Sequence, residues 1–273
     1  MKNFKNKTVV ITGAGSGIGK ALAMNFANRG ANLAISDVNE ANLEKTAAEA
    51  KAKGSKVFTS VFDVSKNEEF LKFAEDVKQN LGPADVVINN AGVALGKMTI
   101  EETSIEDFEW IMGINFWGMV YGSKAFLPQL HKKETTALLN VSSLFGLIGA
   151  AYQGAYCATK FGIRGFNECL IAELEGTNIQ MHTIHPGGIK TSIALNAKGG
   201  DKRYAKAFDS LLALSAEDAA AIIIDAIIKN KARILIGKDA KGGDIVGRIA
   251  PIKLINFIQR KIMQKVEREI KKR

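Results

Sequence analysis

The stretch SSLFGLIGAAYQGAYCATK, residues 142–160, holds two serines, two tyrosines, a cysteine and a lysine. Tyr156 and Lys160 lie four apart in a helical pattern, so they share one helix face. A free phenol titrates at a pKa of about 10. An ammonium about 4 Å away in a partly screened site interacts by roughly 4 kcal/mol, enough to lower that pKa by up to ~3 units. Such a phenol would serve as acid or base in interconverting an alcohol and a carbonyl. Alone, the pair is a common feature of helix surfaces. Cys157 has no histidine near it in sequence to activate it, and it reads as helix packing.

These residues need a frame. Apolar runs rich in Val and Ile occur at 7–12, 32–36, 56–61, 85–89, 137–142, 179–184 and 233–237. Several are apolar throughout, as in strands covered on both faces. Helix-length segments lie between them, one opening after Asn39 and stopping at Gly54, another opening after Ser65 and stopping near Gly82. Strand alternating with helix implies an α/β fold with a doubly wound parallel sheet.

The first run enters TGAGSGIGK, residues 12–20. Gly13, Gly15, Gly17 and Gly19 stand between a strand and a helix, where backbone can approach a pyrophosphate and helix N–H groups face it. Asp37 ends the second run, 18 residues past Gly19. A carboxylate there accepts hydrogen bonds from a ribose 2′-OH and repels a 2′-phosphate. No cation follows at Val38 or Asn39, which favours NAD over NADP. Asp37 can equally cap the helix after Asn39. Asp63, in FDVS, either meets an adenine edge or caps the next helix.

The motifs occur in order: the glycine loop, NNAG at 89–92, Asn115 in GINFWG, Ser143, Tyr156 with Lys160, and HPGGIKT at 185–191. This series resembles the short-chain dehydrogenase/reductase family over about residues 5–237. The resemblance implies a seven-stranded Rossmann fold, a nicotinamide cofactor and a homodimer or homotetramer. It implies Tyr156 as the acid/base and Lys160 as the cation that lowers its pKa and holds the nicotinamide ribose. Ser143 would bond the substrate oxygen, and Asn115 would hold a water continuing a proton relay. Gly13, Ser16, Gly17, Ile18, Gly19, Asp37, Asp63, Val64, Asn90, Ala91 and Gly92 would bind the cofactor. Pro186, Gly187, Ile189 and Thr191 would flank its nicotinamide end. Ser143 rather than Ser142 fits the spacing to Tyr156, and adjacent strand residues face opposite ways. The intact set Asn115, Ser143, Tyr156 and Lys160 argues against a catalytically silent NAD-binding protein. An NADP-linked reductase is the alternative that Asp37 disfavours.

The substrate pocket is expected from Val93, Leu95, Met98, Leu144, Phe145, Leu147, Ile148 and Tyr152. No arginine stands among them to clamp a carboxylate. Lys190 and Lys198 read as solvated. A lipophilic secondary alcohol or ketone is the expected substrate, covered by a lid at about 190–215 hinged at Gly199 and Gly200.

The net charge of +9 is uneven: beyond residue 240 lie ten basic and three acidic residues, against a near balance before it. The basicity belongs to a tail, which argues against a nucleic-acid partner. Domains are therefore expected at 1–240 and 241–273. In the tail, Ile245, Ile249, Ile252, Ile255, Ile258, Ile262, Val266 and Ile270 form one helical stripe, broken near Pro251. That basic amphipathic stripe can pack on the domain, join a second subunit, or make peripheral membrane contact with anionic lipid. Two cysteines and three histidines show no metal-ligand spacing, so no metal is expected. The basic N-terminus leads into a run too short for a signal peptide, and the cytoplasm is the expected compartment.

Overall fold

The computed structural model describes residues 1–249 and 252–271. Its elements follow the order β1 Thr8–Thr12, α1 Gly17–Ala27, β2 Asn32–Asp37, α2 Glu40–Lys51, β3 Val57–Val61 and α3 Asn67–Leu81. Next come β4 Val86–Asn89, α4 Ile105–Met112, a π-turn at Gly113–Trp117, α5 Gly118–Leu130 and β5 Thr136–Val141. A 3₁₀ turn at Leu144–Gly146, α6 Gly154–Glu173, β6 Ile179–Pro186, α7 Lys202–Ser210 and α8 Ala216–Ile228 follow. The described chain ends with β7 Arg233–Ile236, α9 Lys238–Ile249 and α10 Lys253–Lys271.

The strands form one parallel sheet in the order β3-β2-β1-β4-β5-β6-β7. Alternate residues of each strand enter opposite layers, as the pleat requires. Val9, Ile11, Leu33, Ile35, Ile88 and Leu139 pack with α1, α2 and α8. Val10, Ala34, Val87 and Leu138 pack with α3, α5 and α6. The central strands β1, β4 and β5 are buried along their whole length, which is why their sequences are apolar without alternation.

Side chains set the helix starts. Asn39, Ser104, Asp201 and Ser215 each accept a backbone N–H at an N-cap. The sheet order reverses between β1 and β4, and the crevice outside their carboxyl ends is where such sheets take ligands.

A chain of buried amides ties the sheet to α6. Asn89 Nδ2 donates to Asn140 Oδ1 at 2.8 Å, and Asn140 Nδ2 donates to Asn167 Oδ1 at 2.7 Å. Asn167 sits two turns beyond Lys160 on α6, so β4, β5 and that helix hold one register. The boundary expected after residue 240 falls inside α9. The apolar stripe of the tail is divided: Ile245, Ile249 and Ile252 are exposed, while Val266 is fully buried and α10 packs on α7. Pro251 and the side chains of Ile255, Ile258 and Ile262 lie outside the described residues.

Candidate active site

A cavity of about 500 Å³ opens at the switch point. One end is the β1–α1 loop. Gly17 there has a φ of +52°, and a Cβ on Gly19 would strike the Gly13 carbonyl, so α1 can approach β1 closely only with glycine at position 19. Ser16 occupies the N-cap of α1 without bonding the helix through its side chain. The first N–H groups of α1 are therefore left for an anion in the cavity. Asp37 accepts the Gly15 N–H at 2.8 Å and the Asn39 N–H at 2.9 Å, so its carboxylate shapes the loop as well as lining the cavity. Uncapped helix donors beside a carboxylate on the next strand fit the two ends of an adenosine diphosphate.

Gly13, Ser16, Gly17, Ile18, Asp37, Asp63, Val64, Asn90, Ala91, Gly92, Tyr156, Lys160, Pro186, Gly187, Ile189 and Thr191 all line this cavity. Gly19 lies behind the wall. Asp63 accepts the Ser65 N–H at 2.9 Å, beside its place in the wall. Asn90 Nδ2 donates to the Thr12 carbonyl at 2.9 Å, joining the ends of β1 and β4.

At the other end, Ser143 and Tyr156 meet. Ser143 shares the cavity wall with Tyr156, and its hydroxyl opposes the rise of the phenol pKa. Ser142 turns away and donates to the Lys160 carbonyl at 2.8 Å. Lys160 Nζ donates to the Val141 carbonyl at 3.0 Å and stands 5.5 Å from the centre of the Tyr156 ring. His185 is buried, and burial pulls it down to about 4. Its neutral ring donates Nδ1–H to the Ser143 carbonyl at 3.1 Å, because a carbonyl can only accept. Asn115 spends its side chain on the main chain of Val93, accepting its N–H at 2.8 Å and donating to its carbonyl at 3.0 Å. The second Asn115 N–H reaches Thr159 Oγ1 at 3.3 Å.

The phenol titrates in the opposite direction to the sequence expectation. Burial pushes Tyr156 up to about 12, against the opposing pull of its Ser143 hydrogen bond. Burial also pushes Lys160 down to about 8. Helix spacing predicts a shared face, but it does not predict that both groups leave water together.

The apolar residues expected in the substrate pocket divide. Val93 lines the large cavity, while Leu95, Met98 and Tyr152 line a small cleft beside Tyr156. Leu144, Leu147 and Ile148 pack against Val246 of α9 instead. Phe145 joins them and sets its ring edge-on to Tyr156 at 6.3 Å. Tyr152 is half exposed under the Lys97 ammonium, with a φ of +65°. Lys198 is not merely solvated: it pairs with Asp107 at 2.6 Å and covers Trp110 at 5.1 Å. Phe62, Trp110, Ile114 and Ile193 also line the cavity. Phe62 and Ile114 precede Asp63 and Asn115 in the quoted motifs, whereas Trp110 carries no motif.

Fold and site together define an oxidoreductase of the dehydrogenase/reductase type, acting on CH–OH groups. The chain belongs to the short chain dehydrogenase family, whose profile matches residues 7–201. It is 42% identical over 256 residues to the oxidoreductase SadH of Mycobacterium tuberculosis, covering 91% of this chain and 92% of that protein. A short chain dehydrogenase/reductase from Burkholderia phymatum in complex with NAD superposes with a TM-score of 0.78 at 30% identity, covering 86% of this chain and 90% of that one. The alcohol dehydrogenase of the archaeon Thermococcus sibiricus, complexed with 5-hydroxy-NADP, gives 0.72 at 29% identity over 84% of this chain and 93% of its own. Among the described residues no cluster fit for a metal occurs, and no helix is long and apolar enough to cross a membrane.

The buried lysine has a consequence for stability. Unfolded, it keeps its proton to about pH 10.5; folded, only to about pH 8. Between those values the unfolded chain binds more protons, so stability rises with pH. Thermal melting should show wild type gaining on Lys160→Met between about pH 8 and about pH 10. A pH-independent difference would mean that Lys160 is not desolvated.

Proposed function

We propose that this protein is an NAD-dependent dehydrogenase that interconverts a lipophilic secondary alcohol and its ketone, with Tyr156 as the acid/base. The observation that carries this reading is that Ser143, Tyr156 and Lys160 line one cavity, with the Lys160 ammonium 5.5 Å from the centre of the Tyr156 ring. A bound nicotinamide supplies or accepts the hydride. Ser143 and Tyr156 hold the substrate oxygen between two hydroxyls. In reduction Tyr156 donates its proton to that oxygen; in oxidation it removes one. Lys160 takes the nicotinamide ribose hydroxyls, and Asn115 holds the water that passes the proton onward.

The lipophilic preference rests on Val93, Trp110, Ile114 and Ile193 in the cavity wall. The preference for NAD rests on Asp37. A homodimer or homotetramer fits the exposed Trp117 and Phe161, whose neighbourhood on α5 and α6 is joined by Phe116 against Gly162. Peripheral contact with anionic lipid fits the exposed Ile245, Ile249, Ile252 and Phe257 on a strongly basic segment. The cytoplasm is the proposed compartment, consistent with two unpaired cysteines.

NAD reduction measured across short, long-chain and steroid alcohols should favour the larger apolar ones. Tyr156→Phe should lower kcat by about 10²–10⁴. Unchanged turnover in that variant would overturn the mechanism. Because the phenol titrates at about 12, the base form grows about tenfold per pH unit, and oxidation should accelerate from pH 7 to pH 10. A flat profile would remove Tyr156 as the base.

NADH should bind about tenfold or more tightly than NADPH, and Asp37→Asn should narrow that gap by removing the charge that repels the 2′-phosphate. Tighter NADPH binding by wild type would reverse the cofactor assignment. Light scattering should return a multiple of the chain mass, and the protein should co-sediment with anionic vesicles at low salt. A monomer, or protein left in the supernatant, would discard the corresponding contact.

A further inference from the structure

Helix α9 lies beyond residues 7–201, the part that the family profile matches, yet it touches both halves of the site. At its start, Asp239 Oδ2 accepts the Gly188 N–H at 2.6 Å, and Oδ1 accepts the Ala240 N–H at 2.9 Å. The carboxylate fills space that two glycines leave open. A Cβ on Gly187 or on Gly237 would collide with it, and Gly237 turns β7 into α9 with a φ of +98°. The turn it holds, Pro186–Gly188, contributes Pro186 and Gly187 to the cavity wall.

The same face of α9, one and two turns further on, meets the loop that follows Ser143. Gly243 abuts Leu144, and a Cβ on Gly247 would stand 2.9 Å from the Leu147 carbonyl and 3.0 Å from Ile148 Cγ2. Val246 fills the space beside them. Asp244 fixes the helix in place, pairing with Arg233 of β7 and with Arg248.

We propose that α9 is a positioning element of the active site: Asp239 sets the turn at the nicotinamide end, and the glycine face around Gly247 sets the loop that carries Ser143. This rests on the assignment of Pro186–Gly187 to the nicotinamide and of Ser143 to the substrate oxygen. Asp239 is too far round the turn to touch substrate, and it acts through the Gly188 N–H. Gly247 acts through the Leu147 main chain. The two contacts act on different halves of the site and are therefore separable by measurement.

The test measures NADH binding by fluorescence, ketone KM and kcat, and the melting temperature for wild type, Asp239→Ala, Asp239→Asn and Gly247→Ala. Asp239→Ala should weaken NADH binding by about tenfold or more, the scale of one hydrogen bond to a charged acceptor. Asp239→Asn keeps an acceptor oxygen and should restore most of that affinity. Gly247→Ala forces the main chain of the loop outward, so it should raise the ketone KM severalfold and leave NADH binding unchanged. If Asp239→Ala binds NADH as wild type does, if Asn and Ala are equivalent, or if Gly247→Ala alters melting but not KM, α9 is packing only. Failure of wild type to bind NADH at all would instead overturn the proposed function.

Discussion

The site depends on a reciprocal tether between α6 and the end of β5. Lys160 sends its ammonium to the Val141 carbonyl, and Ser142 sends its hydroxyl to the Lys160 carbonyl. Two bonds of opposite direction fix the helix against the strand at the residue that must be placed. Once Lys160 is fixed, Tyr156 is fixed one turn earlier, and Ser143 follows as the next residue on the strand side. The close fit has consequences for neighbours. A Cβ on Gly146 would strike Ser142 Oγ and approach the Lys160 carbonyl, and one on Gly92 would stand 3.3 Å from Asn115 Oδ1. The glycines there are imposed by the tether.

The rest of the frame supports that point from below and from the side. Below it, the amide chain Asn89–Asn140–Asn167 replaces apolar packing between β4, β5 and α6. Buried amides are tolerated when partnered and costly when not, so this chain favours one register over its slipped alternatives. From the side, the helix running through α4 and α5 opens into a π-turn at Gly113–Trp117. The extra residue in that turn rotates Asn115 towards Val93, whose main chain it binds on both sides. The loop after β4 is thereby held against α6, next to Tyr156.

What was legible in the sequence follows from what each signal encodes. The strands were readable because β1, β4 and β5 are buried on both faces and are mostly apolar. The helix start at Asn39 was readable from cap chemistry, whereas the one near Ser65 falls at Lys66, which makes no side-chain cap bond. The pairing of Tyr156 with Lys160 was readable from spacing within α6 and the glycine loop from its place between β1 and α1, while Ser143 came from the spacing of the family resemblance. The direction of the Tyr156 titration was not, since it depends on how much water the fold removes from both groups. Nor was the fate of Leu144, Leu147 and Ile148. Their apolar character predicted burial correctly, but the occupant of the space beyond them is α9, some hundred residues later in the chain. The partners of Tyr152 and Lys198 were not legible either: Lys97 and Asp107 are named by no local pattern.

Burial moves the two reactive groups apart on the pH scale, in opposite directions from nearly equal ordinary values. Raising the phenol to about 12 and lowering the ammonium to about 8 both favour the uncharged form. At neutral pH the site therefore holds a protonated phenol and a lysine that keeps most of its charge. On the proposed mechanism that state is poised to donate a proton, as carbonyl reduction requires. Alcohol oxidation asks the same tyrosine to lose a proton in a dry cavity, where the resulting anion has one nearby cation. The attraction between phenolate and ammonium grows as the dielectric falls, so the burial that raises the tyrosine pKa also strengthens the pair once it ionises. On the proposed mechanism, the ease with which Tyr156 gives up its proton depends on how closely Lys160 can approach the phenolate. That approach is limited by its bond to the Val141 carbonyl, the same bond that anchors the helix.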